Sequence, residues 1–260
     1  MIDYSFSLIE LEYFLLILVR VSCFIYVAPF FSLPNLPQQV KIGLSVFISF
    51  LLYYAIFPKQ YVEYSTVFGF ATIVVKEATT GIIIGLGAQL CTSVSAFVGN
   101  IVDMEIGLKM LSQLDPTTQE QSSISGIFYQ YFVTLILLIS GFYQYLIRAL
   151  AETFILIPLN GAIFRFDSLI DNLIMLTTNI AIIGFKVAMP IFASIIVLNT
   201  VLGILAKVAS QLNMFSVGIQ LKLLVGLSIF FLTIPLLPTV ASMIFEQMKI
   251  IIVAFVNSMM

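Results

Sequence analysis

The residues able to do chemistry are few and oddly placed. Asp103 and Glu105 stand two apart in VDMEIG, so on a helix they project about 200° from one another and make a poor acid–base pair. The chain has no histidine, which removes the usual proton shuttle, any Ser–His or Cys–His nucleophile and the commonest nitrogen ligand for a metal. Cys23 and Cys91 lie in separate apolar runs without metal or redox spacing, and read as small buried residues. No phosphate-cradling glycine loop occurs. Catalysis, cofactor binding and metal binding are therefore not expected.

The remaining charges are informative because of where they fall. Arg20, Lys76, Glu77, Arg148, Glu152, Lys186, Lys207 and Glu246 all lie within or deep along apolar segments. An ion exposed to hydrocarbon costs at least about 2.5 kcal/mol, so each must face protein or water, or snorkel to an interface. Snorkelling suits Lys207 and Glu246, near segment ends. Arg148 and Glu152, four apart, can pair along one helix face. Lys76 and Glu77 are neighbours and point about 100° apart, so they need two different partners.

The elements that must hold these groups are membrane helices. Of 260 residues, 61% are hydrophobic and 9% charged, against about 45–50% and about 25% in soluble domains. A net charge of −2 without a Lys/Arg cluster argues against nucleic acid. The acidic start MIDYSFSLIELEY has no basic residue before Arg20, so the first membrane segment itself reads as the targeting signal. A crossing takes about 20 apolar residues. Candidate segments are 11–31, 42–57, 67–90, 127–157, 173–205 and 221–256. The last three exceed one plain crossing, and Pro158, Pro190, Pro235 and Pro238 predict kinks there. The fold class is all-α, six to eight kinked helices in a single domain over 1–260. Orientation is not legible, since the basic residues are few and spread out.

Three polar stretches punctuate the order: SLPNLPQQ (32–39), FRFDSLIDN (164–172) and the plug-like loop at about 107–126, GLKMLSQLDPTTQEQSSISG. GIIIG, with Gly81 and Gly85, has the small-xxx-small spacing that lets helix backbones approach closely. Beside unpaired intramembrane charge, it favours a chain whose flanks other subunits cover. Broken helices with buried charge also mark transporters, which stay open as an alternative.

RVSCFIYVAPFFSLPNLPQQVKIGLSVFISF (20–50), KEATTGIIIGLG with FVGNIVDMEIGLKMLSQLDPTTQ, and LAKVASQLNMFSVGIQLKLLVGL (205–227) resemble the FliR family of flagellar biosynthetic proteins over nearly the whole length. The shared features are an Arg, a Pro-Phe and a Lys-led helix, then Gly-x-x-x-Asp and Asp-Pro, then Asn-x-Phe before a Lys. Ser210 and Gln220 stand where the family has prolines, and Lys207 where it has arginine. The virulence type III secretion paralogues share much of the pattern, but Val217–Lys222 fits the flagellar form better.

The resemblance implies a FliP-like part fused to a FliQ-like part, and a subunit of the flagellar type III export gate in the bacterial inner membrane at the basal body. Its implied partners are FliP and FliQ homologues, FlhB and FlhA homologues, and the unfolded flagellar proteins that pass through. It also implies that the loop plugs the pore through Leu108, Met110, Leu111 and Leu114, with Asp115-Pro116 turning the chain. Arg20, Lys76, Glu77, Lys186 and Lys222 are then the expected subunit contacts.

Overall fold

The computed structural model describes residues 8–33, 36–55, 64, 66–109, 123–209 and 213–260. Among them all regular structure is helical, without a strand. The elements are α1 (Leu8–Val27), α2 (Gln38–Ala55), α3 (Val67–Thr92), α4 (Val94–Ile106), α5 (Ile124–Ile139), α6 (Phe142–Leu156), α7 (Phe166–Val208), α8 (Met214–Thr233), a 3-10 turn (Ile234–Leu236) and α9 (Leu237–Ser258). Taking α3–α4 and α8–α9 each as one continuous rod gives seven, within the predicted six to eight. Three rods are long and apolar enough to cross a membrane: Val67–Ile106, Phe166–Val208 and Ser216–Ser258. Counting α5 with α6 as one broken span adds a fourth.

The ends of the helices follow from local chemistry. Pro29 stops α1 by pushing Ala28 out of the helical region. Gly107, at φ 89°, closes α4 in the left-handed region that glycine enters freely, its N–H bonded to the Asp103 carbonyl. Gly141, at φ 75°, makes the turn between α5 and α6, which divides the single predicted segment 127–157. Two expectations need correcting. FRFDSLIDN is not a loop beyond Arg165: α7 begins at Phe166, with Asp167 in its first turn, where the helix dipole favours an anion. α7 runs 43 residues without a break through Pro190; the predicted segment 127–157 breaks at Gly141 rather than at Pro158, which follows α6, and Pro235 lies in the 3-10 turn. The sequence pattern also passed over α4, whose polar residues Asn100, Asp103 and Glu105 interrupt its apolar run.

The chain, read as one domain, gathers into two compact units. Unit 1 comprises Met1–Cys91, Gly141–Leu176 and Glu246–Met260; unit 2 comprises Thr92–Ser140 and Thr177–Phe245. Three of the four crossings fall inside α3, α7 and α9, so no linker composition marks them. In unit 1, α1 buries Tyr13, Leu16, Ile17, Arg20, Val21, Phe24 and Ile25. That stripe has helical period, with an arginine at its centre. α2 packs on α1, where Tyr53 meets Tyr13 and Phe14 edge to face at 6.1 Å between ring centres. Glycine lets α3 close on α1: a Cβ on Gly81 would strike the Arg20 carbonyl oxygen, and one on Gly85 would lie 3.1 Å from that of Phe24. In unit 2 a Cβ on Gly99 of α4 would collide with the backbone of Gly126 in α5.

Candidate functional site

Among the described residues each unit has one enclosed carboxylate with its partners, and these two clusters fix helix ends. In unit 1, Arg20 and Glu77 both have no accessible surface. Arg20 Nε donates to Glu77 Oε2 at 2.6 Å across 57 residues of sequence. Arg20 Nη1 donates to the carbonyls of Ile157 (3.0 Å) and Thr153 (3.3 Å), the last turn and cap of α6. A cation therefore sits at the partial negative charge of a helix C-terminus, sharing the Thr153 carbonyl with the Ile157 N–H. The guanidinium carbon lies 4.4 Å from the centre of the Phe154 ring, an attractive cation–π geometry. Nη2 has no hydrogen-bond partner.

The carboxylate is held from its other side. Glu77 Oε1 accepts the backbone N–H of Asn160 at 2.9 Å. Asn160 adopts φ 64°, a left-handed conformation that asparagine tolerates better than most residues. Its Oδ1 accepts from Lys76 Nζ at 3.4 Å. Lys76 and Glu77 therefore share Asn160, one through its side-chain oxygen and the other through its backbone N–H, and Glu77 alone also pairs with Arg20. The Arg20–Glu77 bond lies wholly inside one unit and leaves only Arg20 Nη2 without a partner. Neither residue has accessible surface in the chain.

In unit 2 the enclosed carboxylate is Asp103, only 2% exposed. It accepts the Ser123 hydroxyl at 2.7 Å and the Ser125 backbone N–H, 3.3 Å from both oxygens. Ser123 is the N-cap of α5, its Oγ in turn accepting the Gly126 N–H at 2.9 Å. An anion here meets unpaired N–H groups and the positive end of a helix. Gly99 and Asp103 are one turn apart on the same face of α4, so the Gly99–Gly126 approach and the carboxylate clamp act together. Asp103, by spacing a poor catalytic partner for Glu105, is an anchor for the start of α5. The signal that identifies its role is Gly-x-x-x-Asp facing a Ser-x-Ser-Gly helix start. Leu108 lies just past this clamp, half-buried. Met110, Leu111, Leu114, Asp115 and Pro116, the other predicted plug residues, lie outside the described residues.

Lys186 is exposed and Lys222 half-buried, both in unit 2. Arg148 and Glu152 do not form the expected ion pair, whereas Glu246 pairs with Lys249 at 2.8 Å on α9. Among the described residues no three His, Cys, Asp or Glu side chains converge as a metal site would require. Both enclosed carboxylates are occupied in accepting hydrogen bonds from their own chain, and so serve to anchor helices.

Fold and site define an all-helical membrane protein whose buried charge locks helix ends in place. The chain matches the family described as bacterial export proteins, family 1, over residues 11–248, and belongs to it. It is similar to the flagellar biosynthetic protein FliR of Bacillus subtilis (28% identical over 215 residues, 82% of each chain) and to that of Escherichia coli K12 (28% over 236 residues, 88% of this chain and 87% of the relative). It is also similar to the surface presentation of antigens protein SpaR of Shigella flexneri (27% over 156 residues, 58% of this chain and 59% of the relative).

Proposed function

We propose that this export protein is a subunit of the flagellar type III export gate, forming with FliP and FliQ homologues the conduit for unfolded flagellar proteins. It would sit in the inner membrane at the basal body, beside FlhB and FlhA homologues. The observation that carries the reading is coverage: relatives named as flagellar biosynthetic proteins match over four-fifths of this chain or more, whereas the SpaR match stops at 58%. Enclosure of Arg20 and Glu77 supports a preformed helical subunit, in which Lys76, Lys186 and Lys222 remain for contacts with sibling chains. The pore-plug role of Leu108, Met110, Leu111, Leu114, Asp115 and Pro116 belongs to the same proposal. Methionine and leucine supply adaptable apolar packing, and the Asp103–Ser123 clamp fixes one root of the loop.

Deleting the gene tests the function. The expected result is loss of motility, restored by the full chain, with FliP and FliQ homologues co-purifying. A motile deletion strain with a secretion defect would support the SpaR-type role. Recovery of the protein without either homologue would overturn both export readings in favour of a transporter. Removing Leu108–Ser122 should raise ion leak through assembled gates; unchanged permeability would reject the plug.

A further inference from the structure

α7 runs 43 residues, about 65 Å at 1.5 Å per residue, against a hydrocarbon core of about 30 Å. Fitting it within that core would need a tilt of about 60°, well outside the range of about 0–40° that membrane helices adopt. Its exposed apolar side chains nevertheless extend from Ile170 to Val208, at 55% and 80%. Part of this surface therefore lies beyond the acyl chains and is left to water unless protein covers it. Lys186 and Asn199 stand on the same open side. Among the described residues neither forms an ion pair or a hydrogen bond.

The open side has a period. Ile182, Phe185, Met189, Phe192, Ile196, Asn199 and Gly203 follow one another in steps of three and four, the a/d pattern of a heptad repeat. The five apolar members are 37–55% exposed, and a Cβ on Gly203 would meet nothing within 4 Å. A groove of about 730 Å³ opens along Ile182, Phe185, Lys186 and Met189. Phe97 of α4 steadies Phe185 from one flank, edge to face at 5.8 Å. The opposite face of α7 is used inside unit 2, where Ile183, Ala188, Ile191 and Ile195 are buried. Acyl chains select no period of seven and offer nothing to an amide. A facing helix does both: its holes receive a and d side chains, one polar residue in the seam fixes register, and a bare glycine lets the backbones close up.

Charge narrows the partner. Lys186 and Lys207 both follow a d position, three heptads apart, where flanking charge sets the choice of partner and its orientation. A second copy of this chain inserts the same way round, so two α7 helices would lie parallel. The nearest carboxylate on such a copy, Asp171, is then a rise of about 22 Å away from Lys186, too far to pair. We propose that the open side of α7 from Ile182 to Gly203 is a coiled-coil seam for one apolar helix of a different chain, which brings a carboxylate to Lys186 and a polar group to Asn199. That chain is a sibling subunit of the gate, the reading on which its identity rests.

Photocrosslinking in native membranes tests this, with benzoylphenylalanine placed singly in the full chain at Met189, Ile196, Val201 or Leu205. All four are exposed, the last two at 46% and 42%, but Val201 and Leu205 lie off the seam. Met189 and Ile196 should capture one and the same helix of another chain, at points about one heptad apart, and mass spectrometry should find an Asp or Glu within a turn of the Met189 attachment. Val201 and Leu205 should not capture that helix. Lys186→Glu should lose capture at Met189, and Lys186→Arg should keep it. Capture of that helix from all four positions, capture of a second copy, or a captured segment without an acidic residue would overturn the seam. So would equal capture by Lys186→Glu and wild type. If Lys186→Glu is not recovered, the four crosslinking positions still decide. No captured protein, while FliP and FliQ homologues co-purify, would remove the seam and leave the gate reading. A captured helix from some other membrane protein would keep the seam and remove the gate reading.

Discussion

The two enclosed carboxylates solve one physical problem in opposite ways. Glu77 is neutralised by a full positive charge, and that charge, Arg20, also occupies the carbonyl end of α6. Asp103 has no cation; hydroxyl and backbone N–H groups at the amide end of α5 hold it. One cluster places a cation at a helix C-terminus, the other an anion at a helix N-terminus, each with the favourable sign. The difference lies in dependence. The ion pair needs both members, because either one alone is a stranded buried charge, whereas Asp103 can lose its charge and keep neutral partners. The first cluster also spans α1, α3 and the end of α6, while the second ties only α4 to α5, which follow each other in the chain.

That contrast predicts a hierarchy of damage. Glu77→Ala should be the most severe change, about 3–5 kcal/mol, leaving Arg20 enclosed without its carboxylate. It should appear as loss of monodisperse protein after detergent extraction, before any effect on export can be measured. Gly81→Ala and Gly99→Ala come next. Each adds a methyl against backbone that cannot move aside as a side-chain tip could, and overpacking costs about 1–3 kcal/mol or more. If thermal unfolding shows the two to be equal, the helix contacts of the two units are equally tight, and the contrast rests on charge alone.

Asp103→Asn should cost less than Glu77→Ala, about 1–3 kcal/mol, because a neutral amide still offers one oxygen to Ser123 or Ser125. Equal destabilisation would erase the distinction drawn above. Ser123→Ala should remove about 1 kcal/mol as a lost cap. The smallest effect is at Tyr64, whose exposed hydroxyl donates to Glu12 at 2.5 Å. That bond, followed by burial and the charge of Glu12, raises the phenol above its ordinary range. Its contribution is present below the unfolded value, near about 10, and fades as pH rises through the higher folded one. Tyr64→Phe should lower stability at neutral pH only slightly and abolish the further decline above about pH 10, read from thermal unfolding at the two pH values.

Much of this was legible before the structure. Composition gave the membrane class, and Gly81 and Gly85 are separated by one helical turn, a spacing that anticipates close backbone approach. That Lys76 and Glu77 point apart follows from helix geometry alone. That both still reach Asn160, and Glu77 also Arg20, does not. Arg20 and Glu77 are 57 residues apart, and Asn160 acts through a backbone N–H, which no residue type advertises. The Arg148–Glu152 expectation failed for a related reason: i,i+4 spacing permits a pair without requiring it, and exposed pairs gain little. Pro190 shows that a proline within a long apolar run need not end a helix. The Asp103 clamp was missed because a carboxylate held by a helix start depends on where that helix begins.

A double-mutant cycle on Arg20→Met and Glu77→Met, followed by thermal unfolding in detergent, tests most directly whether these two residues form a self-contained lock. The account predicts strong coupling, with the double variant more stable than either single one because no charge is left buried alone. Additive losses, with the double variant the least stable of the three, would show that each residue has its principal partner elsewhere and would contradict it.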